Sequence, residues 1–509
     1  MISTSKQIKI GAILSYVSIA VNIIAGLIYT PWMIRKIGTG QYGLYTLANT
    51  LITLFVVDFG LSTAASRYVA KYHAEGNQEK ANNFLGAIYK LYLLIDLVIF
   101  AVLLGIFFFI DVIYVKLTPT ELEQFKVVYV MAALFAVVKF PFVTLNGVLN
   151  AYEKYIPLKL ADLLYRVLLV GSTVAALLMG GGLYALVALN ALSGIVLIIY
   201  KLIVVKLTTP VKVNFAYSDK SLYKEIFGFS VWVAVASLAQ RLIFNISPSI
   251  LGIVASSSAI AVFGVVTTIE GYSYTASSAI NGMFMPRISR IYVKGDSQKS
   301  LTPLLISVGR FQYGLNGLII AVFAVVGPLF LKLWMKNNDI GPEYMSVYYG
   351  ALLVMVPGIF YNSLEIANTA LIVEKKVKLQ AYIMIAVGLI NVALSFLLSN
   401  WLGVLGACIS IFAAYIVRAL AFLIVYHRHL EVNIPLFIRS CYLRMSIPIV
   451  VSIAAGFGVN QFIPDRGWMS FLVQSAVVAA IYFVAVFLFG LKNSERKQIF
   501  VMLRSKLRK

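Results

Sequence analysis

Eleven ionisable side chains lie inside the long apolar runs of this chain: Lys90, Lys139, Arg166, Arg241, Arg310 and Arg418, with Asp58, Asp96, Asp162, Glu270 and Glu365. A charge at the centre of a membrane helix costs about 2.5–3.5 kcal/mol on insertion scales, so it is kept where it faces an interior or a polar path. Lys90, Lys139, Arg241 and Arg310 have no obvious local partner, and are the candidates for holding an anionic substrate. Arginine's planar fork grips a phosphate bidentately, and lysine acts on it as a point charge. Asp162 and Arg166 stand four apart on one helix and are expected to neutralise each other. Arg418, near a span end, is expected to reach the surface. Asp58, Glu270 and Glu365 are the candidates for taking up a coupling cation, H⁺ or Na⁺.

The elements that must position these groups follow from composition. Of 509 residues, 61% are hydrophobic and 12% charged, against the roughly 25% charge of a soluble protein. Apolar runs long enough to cross a hydrocarbon core of ~30 Å recur throughout. Alternating ten-residue strands are absent, which excludes a β-barrel. The pattern predicts an all-α polytopic membrane protein with fourteen transmembrane helices: 10–30, 42–64, 84–110, 126–148, 159–179, 183–205, 227–253, 259–285, 304–331, 347–372, 379–398, 403–426, 444–463 and 468–490. The first run is too long for a signal-peptide core and reads as a retained span. With both termini cytoplasmic, inside Lys and Arg outnumber outside ones by about four to one, as the positive-inside rule requires. The net charge of +22 is then mostly topology facing anionic inner-leaflet lipids, and needs no nucleic acid partner.

The polar stretch Thr208–Glu225 divides two halves that resemble copies. Gly76 in RYVAKYHAEGNQEK matches Gly295 in PRISRIYVKGDSQK, and Pro31 with Pro248, Lys90 with Arg310 and Glu153 with Glu374 keep nearly the same offset of about 220 residues. This predicts an N-lobe at 1–207, a cytoplasmic linker at 208–226, a C-lobe at 227–442, two extra spans within 443–491 and a basic tail at 492–509. A six-span unit puts both copies the same way up, as in parallel-repeat transporters. The tail spaces Ile499, Met502, Leu503 and Leu507 as an amphipathic surface helix would.

Motifs for other chemistries fail on context. Gly38–Gly43 spells GxGxxG, but between two spans rather than after a strand, so it reads as a tight interfacial turn. No phosphate-cradling GxxxxGK[ST] occurs, nor HExxH. His73, His427 and His429 fall in loops or at span ends, which disfavours a membrane acyl-transfer enzyme; Cys408 and Cys441 form no framework. No catalytic residue, metal or cofactor is expected.

Pro31, Ile37-Gly38, Gln41-Tyr42-Gly43-Leu44-Tyr45, Asp58-Phe59-Gly60-Leu61 and Arg67-Tyr68 together resemble the Wzx-type O-antigen and capsule repeat-unit flippases of the multidrug/oligosaccharidyl-lipid/polysaccharide exporter superfamily. The 6+6+2 plan extends the likeness over the whole chain. The resemblance implies a transporter rather than an enzyme. It would move an undecaprenyl-pyrophosphate-linked oligosaccharide across the bacterial inner membrane by alternating access, beside a glycan polymerase, for O-antigen, capsule or exopolysaccharide synthesis. A cation-coupled multidrug exporter and a peptidoglycan-precursor flippase share the superfamily. A membrane polysaccharide polymerase is disfavoured by the short outer segments 111–125 and 332–346.

Overall fold

The computed structural model describes residues 4–278, 288, 291, 297–336, 340, 343–374, 376–464, 467–491 and 495–497. Most of the Pro286–Lys299 repeat signature and of the tail at 492–509 lies outside the described residues.

Among the described residues the regular elements are all helices. They are α1 (Thr4–Ile37), α2 (Thr39–Phe55), α3 (Leu61–Ala74), α4 (Gln78–Ile113), α5 (Pro119–Lys139), α6 (Thr144–Ala151), α7 (Tyr155–Leu178), α8 (Leu183–Thr208), α9 (Lys220–Phe244), α10 (Ser247–Val254) and α11 (Ser257–Ser278). They continue as α12 (Ser297–Trp334), α13 (Tyr344–Asn362), α14 (Glu365–Val373), α15 (Val377–Leu430), α16 (Ile434–Phe437), α17 (Arg444–Asn460) and α18 (Trp468–Ala485). Most of the expected spans fall on these helices, but 42–64 is divided between α2 and α3, and residues 279–285 of the expected span 259–285 lie outside the described residues. By length and apolar character ten described helices pass as membrane spans, and an eleventh if the bent pair α9 and α10 counts as one. α15 runs for 54 residues, but Gly403, at φ 53° and ψ −127°, turns the chain inside it. That conformation is open to glycine and strained for other residues.

The exterior is as apolar as hydrocarbon requires. On α4, Leu93, Leu94, Leu97, Val98, Phe108 and Phe109 are exposed, where soluble proteins keep such patches small. α3, α5 and α8 instead pack against helices of their own unit.

Two compact units result. One comprises Met1–Gly264 with Val377–Ala407, the other Val265–Lys376 with Cys408–Lys509. In the first, α7 packs on α8 and α1, and α2 on α5. In the second, α12 packs on α13, α17 and α18. α7 begins at 155 and the first arm of α15 at 377, and the helices before them are each broken, at Phe140–Val143 and after Asn362. Prolines and glycines interrupting spans at matching places in two halves mark binding regions in transporters.

Candidate functional site

Three broken helices of the first unit surround one cavity of about 440 Å³. α2 ends at Phe55, and the chain turns through Phe59 (φ 53°) and Gly60 (φ 68°) before α3. α5 gives way to a 3₁₀ turn, Phe140–Val143, because Pro141 has no N–H to continue the ladder. α9 and α10 meet at a bend of 43°, with Pro248 in the first turn of α10. Each break leaves backbone groups without helical partners, so polar side chains are drawn to it.

The charges sit at these breaks. Lys139 occupies the last turn of α5, where the helix dipole favours a cation. Its ammonium lies 5.7 Å from the Phe135 ring centre and 6.0 Å from that of Tyr165. Arg241 occupies the last turn of α9 and donates from Nη1 to the Val56 carbonyl at 2.8 Å, capping the frayed end of α2. Among the described residues neither cation is in a salt bridge. Asp58, in the α2–α3 turn, accepts the Tyr92 hydroxyl and the Ser62 backbone N–H, so Tyr92 fixes its carboxylate. Asn49, Asn190 and Tyr165 complete a polar wall, Tyr165 donating to Asn190 Oδ1 at 2.8 Å. The cavity thus offers two cations, one carboxylate, amides and aromatic faces, a set suited to a polar anion carrying ring-shaped groups.

The other expected site residues lie elsewhere. Lys90 donates to the Tyr217 carbonyl at 2.9 Å and pins the linker onto α4. There Asn82 also binds the Lys212 and Asn214 N–H groups. Arg310 grips the Glu495 carboxylate bidentately at 2.7 and 2.9 Å on a separate cavity of the second unit. Glu270 and Glu365, each half-buried, lie among the buried Tyr361, Tyr415 and Arg418 of that unit. Glu365 accepts the Tyr361 hydroxyl, and Glu270 neighbours Tyr274 and Tyr415.

Two sequence expectations change. Asp162 pairs with Lys159 at 3.5 Å, while Arg166 turns to the Asn22 carbonyl at 3.4 Å. Arg418 does not reach a surface: it is 1% exposed, its guanidinium 3.4 Å from the Tyr361 ring centre, with Nε and Nη2 lacking hydrogen-bond partners among the described residues. Its depth misled, because a ring face met the guanidinium before water did. The sequence signal was weak: Tyr361 and Arg418 are 57 positions apart. Lys201, missed altogether, is buried and donates to Asn146 Oδ1 at 2.9 Å. His427 Nδ1 lies 3.2 Å from the Val432 carbonyl, and no group of three or more His, Cys, Asp or Glu converges among the described residues.

Residues 9–292 match the polysaccharide biosynthesis protein family, over half of the chain. The chain belongs to that family. No curated protein sequence matches it. Among solved structures, this family member is similar to the lipid II flippase MurJ in an inward closed conformation, at 13% identity and a TM-score of 0.70, covering 94% of this chain and 98% of that one. It is also similar to an inward-facing multidrug resistance MATE transporter of the MOP superfamily, at 13% identity and 0.68, covering 82% and 98%. A third, a MOP superfamily transporter from Pyrococcus furiosus, gives 16% identity and 0.63, covering 85% and 96%. At these identities the likeness shows the fold: a MOP-superfamily transporter fold in a multi-pass membrane protein.

Proposed function

We propose that this protein is a flippase translocating an undecaprenyl-pyrophosphate-linked oligosaccharide across the bacterial inner membrane by alternating access, for O-antigen, capsule or exopolysaccharide synthesis. The observation that carries the reading is the convergence of Lys139 and Arg241 on one cavity without a salt-bridged carboxylate among the described residues. The physical task is specific. A diphosphate and sugars must leave water while a long isoprenoid tail stays in hydrocarbon. Lys139 and Arg241 would compensate the diphosphate, and Tyr165, Asn49 and Asn190 would hold sugar rings and hydroxyls. Asp58, held by Tyr92 on the same cavity, is the coupling residue that its position favours, because a cation taken up there would change the charge felt by the substrate. Lys90 and Arg310, both already engaged, serve the linker and the second cavity.

The test is surface glycan in a flippase-null strain, with the membrane-inserted protein quantified beside it. Arg241→Ala should nearly abolish export at unchanged protein level, and Arg241→Lys, which keeps charge and loses the fork, should retain part of it. Normal export in Arg241→Ala and in Lys139→Ala would refute the assignment. The topology is tested separately: reporters fused after Gly180 and Pro464 should be periplasmic, and one after Asp219 cytoplasmic.

A further inference from the structure

The end of α18 carries more positive charge than the fold there uses. The helix loosens into a π turn, Val486–Gly490, whose terminal carbonyls would otherwise be orphaned. Three arginines cover them. Arg310 donates to Gly490 O at 2.7 Å, and Arg444 to Leu491 O at 2.6 Å and Phe489 O at 3.3 Å. Arg496 donates to Leu488 O. Carbonyls fix the guanidiniums without neutralising them. Glu495, bound by Arg310, is the only acidic side chain in residues 491–509, which hold seven Lys and Arg. Arg310 Nε, although buried, has no hydrogen-bond partner among the described residues.

Of these arginines Arg310 lines, with Glu495, a cavity of about 660 Å³, within the range of ligand sites, ~300–1,000 Å³. Away from Arg310 and Glu495 its walls are mostly apolar, with Leu315, Leu318, Met445 and Val486 among them. Phe311, Leu436 and Phe483 on its rim are exposed, so it opens on the apolar exterior of the helices.

We propose that this cavity binds one anionic phospholipid. An acyl chain lies along Leu315 and Leu318. The phosphodiester takes Arg310, and Arg444 beyond it, in place of Glu495. Charge favours this occupant: a single-charged phosphate replaces a single-charged carboxylate on the same fork, and the apolar walls exclude a free ion as the natural ligand. Glu495 is therefore a competitor that holds the site closed until lipid arrives. The inference is independent of the substrate assigned to the first cavity.

The test uses the purified full chain in phosphatidylcholine nanodiscs, with phosphatidylglycerol added and bound lipid counted by native mass spectrometry. Phosphatidylglycerol should bind saturably at one site, and soluble glycerophosphate should not compete. Arg310→Ala should weaken it about tenfold, as loss of a charge-assisted pair does. Glu495→Gln should strengthen it several-fold by removing the competitor. Leu318→Trp, which fills the chain's place, should weaken it with the charges intact. Equal binding of phosphatidylcholine, or weaker binding in Glu495→Gln, overturns the proposal even where Arg310→Ala does not fold. Effective competition by glycerophosphate overturns it too. So does preferential capture of undecaprenyl pyrophosphate at this site, which would make it part of the substrate path.

Discussion

The two helix breaks at 140–143 and after Asn362 are each followed by a short helix and then a long one, α6 and α7 or α14 and α15, yet they solve opposite problems. At the first, Lys139 closes α5 beside an open cavity, with ring faces but no salt-bridged carboxylate near it among the described residues. At the second, Tyr361 and Glu365 flank the turn, and the cation comes from another helix: Arg418, sealed on the Tyr361 ring. One break keeps a charge available and the other encloses one. A buried guanidinium is costly unless something compensates it, and here the Tyr361 and Tyr415 rings and the nearby Glu365 carboxylate do so. On the proposed function, availability rather than depth in a span separates a binding charge from a structural one.

Removing the enclosed cation should have the largest effect on folding. Arg418→Ala takes away the stacked guanidinium and leaves Glu365 beside a void, a loss of about 3 kcal/mol or more. Thermal unfolding of the purified protein should show it, together with low membrane levels. Stability equal to the parent would mean the two breaks are not different in kind. Lys139→Ala should do the reverse, keeping the protein level and lowering export about tenfold or more. A drop in export matched by a drop in protein would class Lys139 with Arg418.

Gly60→Ala strains the left-handed turn that carries Asp58, at about 1–2 kcal/mol, and presses a methyl toward Val233. Export should fall in it more than stability does, since Asp58 is displaced; an unchanged export-to-protein ratio would separate Asp58 from the cavity's work. The smallest effect belongs to Lys90→Ala. Loss of its bond to Tyr217 should cost about 1 kcal/mol and speed proteolysis of the 208–219 strap, with export nearly intact. Strong loss of export there would place Lys90 with the binding cations.

Helices and their order were legible because apolar runs of span length have one main solution in hydrocarbon. The breaks were not legible: 42–64, 126–148 and 227–253 each read as one continuous span, although Val56–Gly60, the 3₁₀ turn Phe140–Val143 and the bend before Ser247 interrupt them. The intramembrane charges were legible as a set and not by role. Nothing local to Arg418 names Tyr361, and nothing local to Lys90 names the Tyr217 carbonyl, 127 positions away. Lys90, Lys139, Arg241 and Arg310 were singled out together for lacking local partners; Lys139 and Arg241 line one cavity, whereas Lys90 and Arg310 are engaged elsewhere.

The central claim, that the first cavity's cations hold a diphosphate, is tested most directly by equilibrium binding of undecaprenyl pyrophosphate to the purified chain in nanodiscs. Lys139→Ala and Arg241→Ala should each weaken binding about tenfold or more, and Arg418→Lys, at equal folded protein, should leave it within about twofold. Undiminished binding in both cavity variants, or an equal loss in Arg418→Lys, would contradict the account.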